Sequence, residues 1–189
     1  MRYAITGHTS GLGKALTQYE DIKDNYIGFS RSTGYDISDP NCRKQIIEEA
    51  NNCQIFINNA YNGFAQTDLL YELFDVWKDR DKFIINISSN TTDGVKLFPH
   101  LYSAHKHSLE KAGEQLANSF YPCMVTTLKF GYLGTERILE KNPVPKCIPL
   151  NHAVRFIEHA IDLMDDNIRL TTATLIPAQS SFNPEENDR

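Results

Sequence analysis

The strongest constraint on the fold of this 189-residue chain is a rhythm. Short apolar runs of strand length alternate with segments of helical periodicity from residue 2 to about residue 176. Parallel strands can be joined only through a crossover, which is usually a helix, so the alternation predicts an α/β fold with a doubly wound parallel sheet. Strands are expected over residues 2–6, 26–30, 54–58, 82–88, 123–129 and 171–176, with a further short element at 34–37. That makes about seven strands flanked by helices. Helices are expected from Leu12 and over residues 41–52, 69–77, 102–120 and 151–165. Too few residues separate 26–30 from 34–37 for a crossover helix, so a connection is trimmed there. One domain over 1–178 is expected, followed by a polar tail at 179–189, rich in Ser, Asn, Glu and Pro.

Composition excludes several classes. The net charge is −5 and no basic block occurs, which argues against a nucleic-acid surface. No apolar run approaches the roughly 20 residues that span a bilayer, so no membrane partner is expected and the setting is read as cytoplasmic. Cys42, Cys53, Cys123 and Cys147 lack CxxC spacing and suitably spaced histidines, so they read as buried reduced thiols. His100, His105 and His107 cluster in sequence without carboxylates at useful spacing, and no metal is expected.

The first strand runs directly into Thr6-Gly7-His8-Thr9-Ser10-Gly11-Leu12-Gly13. A strand that turns into a helix points free backbone N–H groups, and the positive end of the helix dipole, at whatever lies above the turn, which favours a pyrophosphate. Gly7 permits the turn, Gly11 lets backbone approach the phosphates and Gly13 lets the helix pack close to the sheet. Thr9, Ser10 and Leu12 complete that candidate phosphate loop. The same glycines could serve the turn alone. The second strand ends Phe29-Ser30-Arg31 with no carboxylate to hold ribose hydroxyls. An arginine there can grip a 2′-phosphate by a charge-assisted fork, or it can be a solvated surface residue. Asp36, followed by Ile37, could meet an adenine amino group or simply make a turn.

Tyr102 and Lys106 stand four apart at the start of the longest expected helix, and Ser89 ends a strand thirteen residues upstream. Residues at that spacing share a helix face, so an ammonium at 106 could lower the pKa of the Tyr102 phenol toward neutrality. The phenol could then exchange a proton with a carbonyl or alcohol, and the Ser89 hydroxyl could polarise the same oxygen. Ser89 can also be read as a plain strand-end cap. A bare Tyr-x3-Lys pair means little in a chain with nine tyrosines, and Tyr19 with Lys23 repeats the spacing on an outer helix.

Thr6-Gly7-x3-Gly11-x-Gly13, Asn58-Asn59-Ala60, Ile85-Asn86-Ile87-Ser88-Ser89 and Tyr102-Ser103-Ala104-His105-Lys106 resemble, in order, the motifs of the short-chain dehydrogenase/reductase family. The resemblance spans residues 1 to about 176 and implies a Rossmann fold that binds NAD(P), with NADP expected over NAD on the strength of Arg31. It implies a small-molecule carbonyl/alcohol substrate, with Ser89, Tyr102 and Lys106 catalytic and Lys106 also on the nicotinamide ribose. It further implies that Asn58, Asn59 and Ala60 line the adenosine side and that Thr135 meets the nicotinamide carboxamide. Asn62 is the match for the family's fourth catalytic residue, an asparagine on the helix before the serine. A homodimer or higher homo-oligomer is implied as well, and the small residues Ala104, Ser108 and Ala112 could seat a partner helix or this chain's own sheet. Departures are Phe130 where proline is usual, a short stretch between Ala60 and Ser89, and a short, Pro- and Lys-rich substrate segment after Tyr132. They leave open a second reading, a catalytically weak NADP(H)-binding sensor or scaffold.

Overall fold

The computed structural model describes residues 1–94, 98–143 and 145–178. The polar tail expected at 179–189 lies outside the described residues. In chain order the elements are β1 (Tyr3–Thr6), α1 (Gly11–Thr17), β2 (Tyr26–Phe29), α2 (Pro40–Glu49), β3 (Ile55–Asn58), α3 (Ala65–Trp77), β4 (Phe83–Ser89), α4 (Leu101–Ala117), β5 (Met124–Phe130), α5 (Glu136–Leu139), α6 (Leu150–Asp165) and β6 (Thr172–Leu175). The strands form one six-stranded, all-parallel sheet in the order β2-β1-β3-β4-β5-β6. Its order matches a doubly wound sheet that lacks the outermost strand beyond β2.

Six strands, against about seven expected from the alternating pattern, is a correction confined to residues 34–37. After β2 the chain enters a 3-10 turn at Arg31–Thr33, held by reciprocal Ser30–Thr33 capping bonds and closed by Gly34 at φ 93°. The Tyr35 amide then donates back to the Ser30 carbonyl at 2.9 Å, and the segment curls against the sheet instead of extending it. The Tyr35 ring packs edge-on against Phe29 of β2, with centroids 5.0 Å apart, and Ile37 is buried in the core.

Strict alternation along the strands feeds two separate cores. In β3, Ile55 and Ile57 face the layer of α1 and α6, while Phe56 faces the layer of α2, α3 and α4. Both faces being covered explains why β3 and β4 read as continuous apolar runs. Trp77 ends α3 fully buried, edge-on to Phe56 at 6.0 Å, with the Lys82 ammonium 4.3 Å from its ring centroid. Among the described residues no helix is long and apolar enough to cross a membrane. Of the four unpaired cysteines, Cys53 and Cys123 are buried, whereas Cys42 and Cys147 are partly exposed. Burial pushes the Cys123 thiol up to about 12.

The strand order turns back at β1, with β2 added on one side and β3 on the other, so a crevice opens at the carboxyl ends of β1 and β3. Every residue singled out from the sequence for chemistry falls at or around that crevice.

Candidate cofactor cleft and active site

The crevice is a cleft of about 1420 Å³ whose walls run from Gly7 and Ser30–Ile37 at one end to Ser89, Tyr102 and Lys106 at the other. Gly7 and Gly11 adopt positive φ, 71° and 50°, which L side chains rarely tolerate. A Cβ on Gly13 would stand 2.1 Å from the Gly7 carbonyl oxygen, so glycine alone lets α1 close onto the turn. A Cβ on Gly11 would meet the Thr135 methyl at 3.2 Å, which places Thr135 directly over the turn. Gly7, Thr9, Ser10 and Leu12 line the cleft itself.

Thr6 fastens β3 to this turn. Its hydroxyl accepts from the Asn59 and Ala60 amides, both at 2.9 Å, and the Asn59 side chain donates to the Thr6 carbonyl at 2.9 Å. Asn59 and Ala60 therefore border the cleft, but Asn58 does not. Asn58 is fully buried, and its amide donates to the Gln66 carbonyl and to Asn86 Oδ1, both at 3.0 Å. It ties β3 to α3 and β4 beneath the cleft floor instead of facing the adenosine side.

Short hydroxyl side chains gather at the β2 end. Ser30 and Ser32 hydroxyls are 2.8 Å apart, and Ser32 donates to Thr9 at 3.2 Å, with the exposed Arg31 beside them. Asp36 takes the turn role: its Oδ1 accepts from the Ser38 amide at 2.9 Å and the Ser38 hydroxyl at 2.8 Å. Those bonds hold its carboxyl below the usual value. Asp36 and Ile37 still border the cleft.

The catalytic candidates converge at the far end. Ser89 ends β4, and its hydroxyl accepts from the Thr91 amide at 3.2 Å, so it caps the turn while facing the cleft. Tyr102 lies in the first turn of α4, whose start is capped by His100 Nδ1 accepting from the Ser103 amide at 3.2 Å. Its ring meets Tyr61 edge-on at 4.9 Å. Lys106, one turn on, is 3% exposed and donates to Gln66 Oε1 and to the Ile87 carbonyl, each at 2.8 Å. Its ammonium also sits 5.4 Å from the Tyr61 ring and 5.7 Å from the Tyr102 ring.

Two sequence expectations need correction here. Burial depresses Lys106 to about 7, with Glu110 opposing the shift, so at neutrality it holds only part of a charge. Tyr102 is accordingly raised, not lowered: burial dominates, Tyr61 adds to it, and the Ser89 hydrogen bond and the Arg137 charge pull the other way. Asn62 lies in the loop before α3 and donates to Asp36 at 3.3 Å, turned toward the β2 end. Gln66 is the amide that reaches Lys106. It is 1% exposed and its Nε2 donates to the Asn58 carbonyl at 2.7 Å and the Ile87 carbonyl at 3.2 Å, so its orientation is fixed. The signal for it was present: Gln66 falls on the buried stripe with Leu70, Leu73 and Trp77, a polar residue where the helical pattern demands an apolar one.

A second network the sequence did not disclose braces the Ser89 turn from behind. Glu110 of α4 accepts from Ser88 at 2.6 Å and Thr92 at 2.8 Å, and pairs with Lys129 of β5 at 3.4 Å. Lys129 also pairs with Asp93. Tyr19, the sequence decoy, hydrogen-bonds Glu158 at 2.6 Å, remote from the cleft, and Lys23 pairs with Glu20. His105 Nδ1 shares a 2.8 Å hydrogen bond with the Tyr61 hydroxyl. Ala112 is buried in this chain's own core, whereas Ala104 is exposed, which divides the small-residue series on α4. Phe130 is buried edge-on to Phe156 at 5.9 Å.

No family model and no curated protein matches this sequence. Solved structures do share its fold. A short-chain dehydrogenase from Burkholderia cenocepacia J2315 in complex with NADP superposes with a TM-score of 0.72 at 18% identity, over 92% of this chain and 89% of that one. A 4-hydroxyisoleucine dehydrogenase mutant complexed with NADH and succinate gives 0.75 at 18%, over 97% and 100%. Serine dehydrogenase from Escherichia coli gives 0.72 at 14%, over 96% and 100%. The architecture is the Rossmann-type fold of the short-chain dehydrogenases/reductases, with the outermost strand beyond β2 missing.

Proposed function

We propose that this chain is a shortened short-chain dehydrogenase/reductase, an NAD(P)-dependent oxidoreductase that interconverts a small-molecule carbonyl and an alcohol, with NADP(H) preferred. The observation that carries the reading is the convergence of Ser89, Tyr102 and a buried Lys106 at one end of a cleft whose other end is a glycine turn. The residues fit a dinucleotide: Gly7 and Gly11 hold the positive-φ turn that opens onto the cleft, and among the described lining residues the sole carboxylate at the β2 end is Asp36, which is already bonded to Ser38. Gly7, Thr9, Ser10 and Leu12 would hold the phosphates, Asn59 and Ala60 the adenosine, Arg31 with Ser30 and Ser32 a 2′-phosphate, and Thr135 the carboxamide. When bound, the nicotinamide supplies or accepts the hydride.

The chain's own residues handle the proton. Ser89 donates to the substrate oxygen and polarises it. Tyr102 gives its phenolic proton to that oxygen in reduction and takes one back in oxidation. Lys106, oriented by Gln66 and the Ile87 carbonyl, has one remaining N–H for the ribose hydroxyls. Acceptors there would restore its charge and bring the Tyr102 pKa down. Conversion of Tyr102 to Phe tests the assignment. Loss of turnover with NADPH binding retained supports it, and undiminished turnover ends it.

The raised Tyr102 pKa specifically favours a second reading, a cofactor-binding sensor or scaffold with weak catalysis. Single-turnover oxidation of bound NADPH by a carbonyl panel separates the two. A homodimer through α3 and α4 belongs to the same proposal, supported by exposed Tyr71 and Val76 and tested by sedimentation. A cytoplasmic setting is supported by four unpaired cysteines.

A further inference from the structure

The charges that border the cleft are one-sided, although the chain as a whole carries −5. Arg31, Lys106, Arg137 and Lys141 face it, and the sole carboxylate among the described lining residues is Asp36, at the far β2 end. Two of the cations come from one short segment: Arg137 lies in α5 and Lys141 follows just beyond its C-terminal end, and both border the cleft. Glu136 and Glu140, which alternate with them, do not border the cleft. Among the described residues neither Arg137 nor Lys141 has a carboxylate within ion-pair distance.

Their placement is set by backbone. The segment is bridged to Ile148, with the Gly134 amide donating to the Ile148 carbonyl at 2.9 Å and the Ile148 amide to the Tyr132 carbonyl at 2.8 Å. Thr135, resting on Gly11, fixes the entry to α5. Lys141 reaches across Tyr132, its ammonium 5.3 Å from the ring centroid. Arg137 and Tyr102 border the same cleft. Around this pair the wall is Tyr132, Leu133, Ile138 and His100, without an acidic group. An anion entering this part of the cleft would meet two cations and no carboxylate among the described lining residues.

We propose that the substrate of this site carries an anionic group, a carboxylate or a phosphate, close to its carbonyl, and that Arg137 and Lys141 hold that group and orient the carbonyl toward Ser89 and Tyr102. The inference rests on the oxidoreductase reading above and adds the substrate class. Carboxylate and phosphate share the recognition chemistry, since either accepts a guanidinium fork and an ammonium.

Matched pairs test it: acetoacetate against methyl acetoacetate, and dihydroxyacetone phosphate against dihydroxyacetone, each with NADPH. The expected result is a kcat/KM at least tenfold higher for the anionic member of one pair, and the responding pair identifies the anion. Arg137→Ala and Lys141→Ala should each cut that preference severalfold, and Arg137→Glu should abolish it, while the Kd for NADPH changes less than twofold. Arg137→Lys should restore part of the preference. Both wild-type residues are exposed, so the variants should fold normally. Calorimetric titration of the NADP-saturated protein with malonate and with inorganic phosphate supplies a readout independent of turnover, and the responding anion should lose at least tenfold affinity in Arg137→Ala. Equal use of neutral and charged members overturns the substrate class but leaves the oxidoreductase reading standing. A loss of NADPH affinity in the variants that matches the loss of turnover also overturns it, because the cations would then serve the cofactor. Absence of NADPH oxidation by every member, with no anion binding, removes both proposals together.

Discussion

The two ends of the cleft are built by opposite means. At the end that holds Ser89, Tyr102 and Lys106 the supporting side chains Lys106 and Gln66 are buried and tie three secondary elements together: Lys106 from α4 meets Gln66 from α3 and the Ile87 carbonyl from β4. At the β2 end they are short, surface hydroxyls and one exposed arginine, tied mainly to their sequence neighbours. The outer strand that would back them is absent. A buried network holds geometry because each group has nowhere else to bond. The open end can only offer charge and hydrogen bonds to whatever arrives. The proposed chemistry thus lies where packing enforces geometry, and the proposed recognition where the fold is thinnest.

The largest effect should come from breaking the buried end at the reacting group. Tyr102→Phe should lower kcat by about 10²–10⁴-fold with the Kd for NADPH nearly unchanged, measured by steady-state rates and fluorescence titration. Gln66 probes the support beneath it. Gln66→Leu removes the acceptor facing Lys106 and frees two carbonyls, so it should cost about 1–3 kcal/mol of stability in urea titration. It should also depress Lys106 further, so the alkaline limb of the pH–rate profile, where Lys106 loses its charge, moves downward. Gln66→Glu should move that limb upward. An identical pH profile in both variants would reduce Gln66 to a packing residue.

Lys106 links the buried end to pH through folding. Its folded value is about 7 against 10.5 for the free side chain, so between those limits the unfolded chain binds more protons than the folded one. Stability from this group therefore rises with pH from about 7 toward 10.5 and is lacking below about 7. Lys106→Met should erase that slope, a difference on the order of a few kcal/mol across the window, read from urea melts at several pH values. At the open end effects should be smaller. Arg31→Ala should lower the ratio of NADP to NAD affinity by about tenfold without altering kcat. A fold-change equal to that of Gln66→Leu would contradict the division between the two ends.

The same division governs what could be read from sequence. All six strands were legible: runs such as Phe83–Ile87 are buried on both faces and predominantly apolar, with Asn86 the one polar residue among them. Residues 34–37 misled because Tyr35 and Ile37 alternate like a strand, whereas the capping bonds of Ser30 and the left-handed Gly34 are events of backbone geometry. Asn62 misled for a related reason. A motif's spacing transfers only if the connection keeps its length, and in a shortened loop the amide that reaches Lys106 comes from one turn further along. The Glu110–Lys129–Asp93 group joins charges from separate elements, so no local pattern could reveal it. The direction of the Tyr102 shift is set chiefly by the burial of the phenol itself, which spacing does not encode.

Losing an outer strand also changes how the molecule meets its own kind. The sheet now ends at β2 on one side and β6 on the other, each four residues long, while the interior strands β4 and β5 have seven. Unpaired strand edges are templates on which a neighbouring chain can add hydrogen bonds, and the hazard grows with edge length. Among the described residues, two short borders around a long centre offer little such template for edge-to-edge pairing.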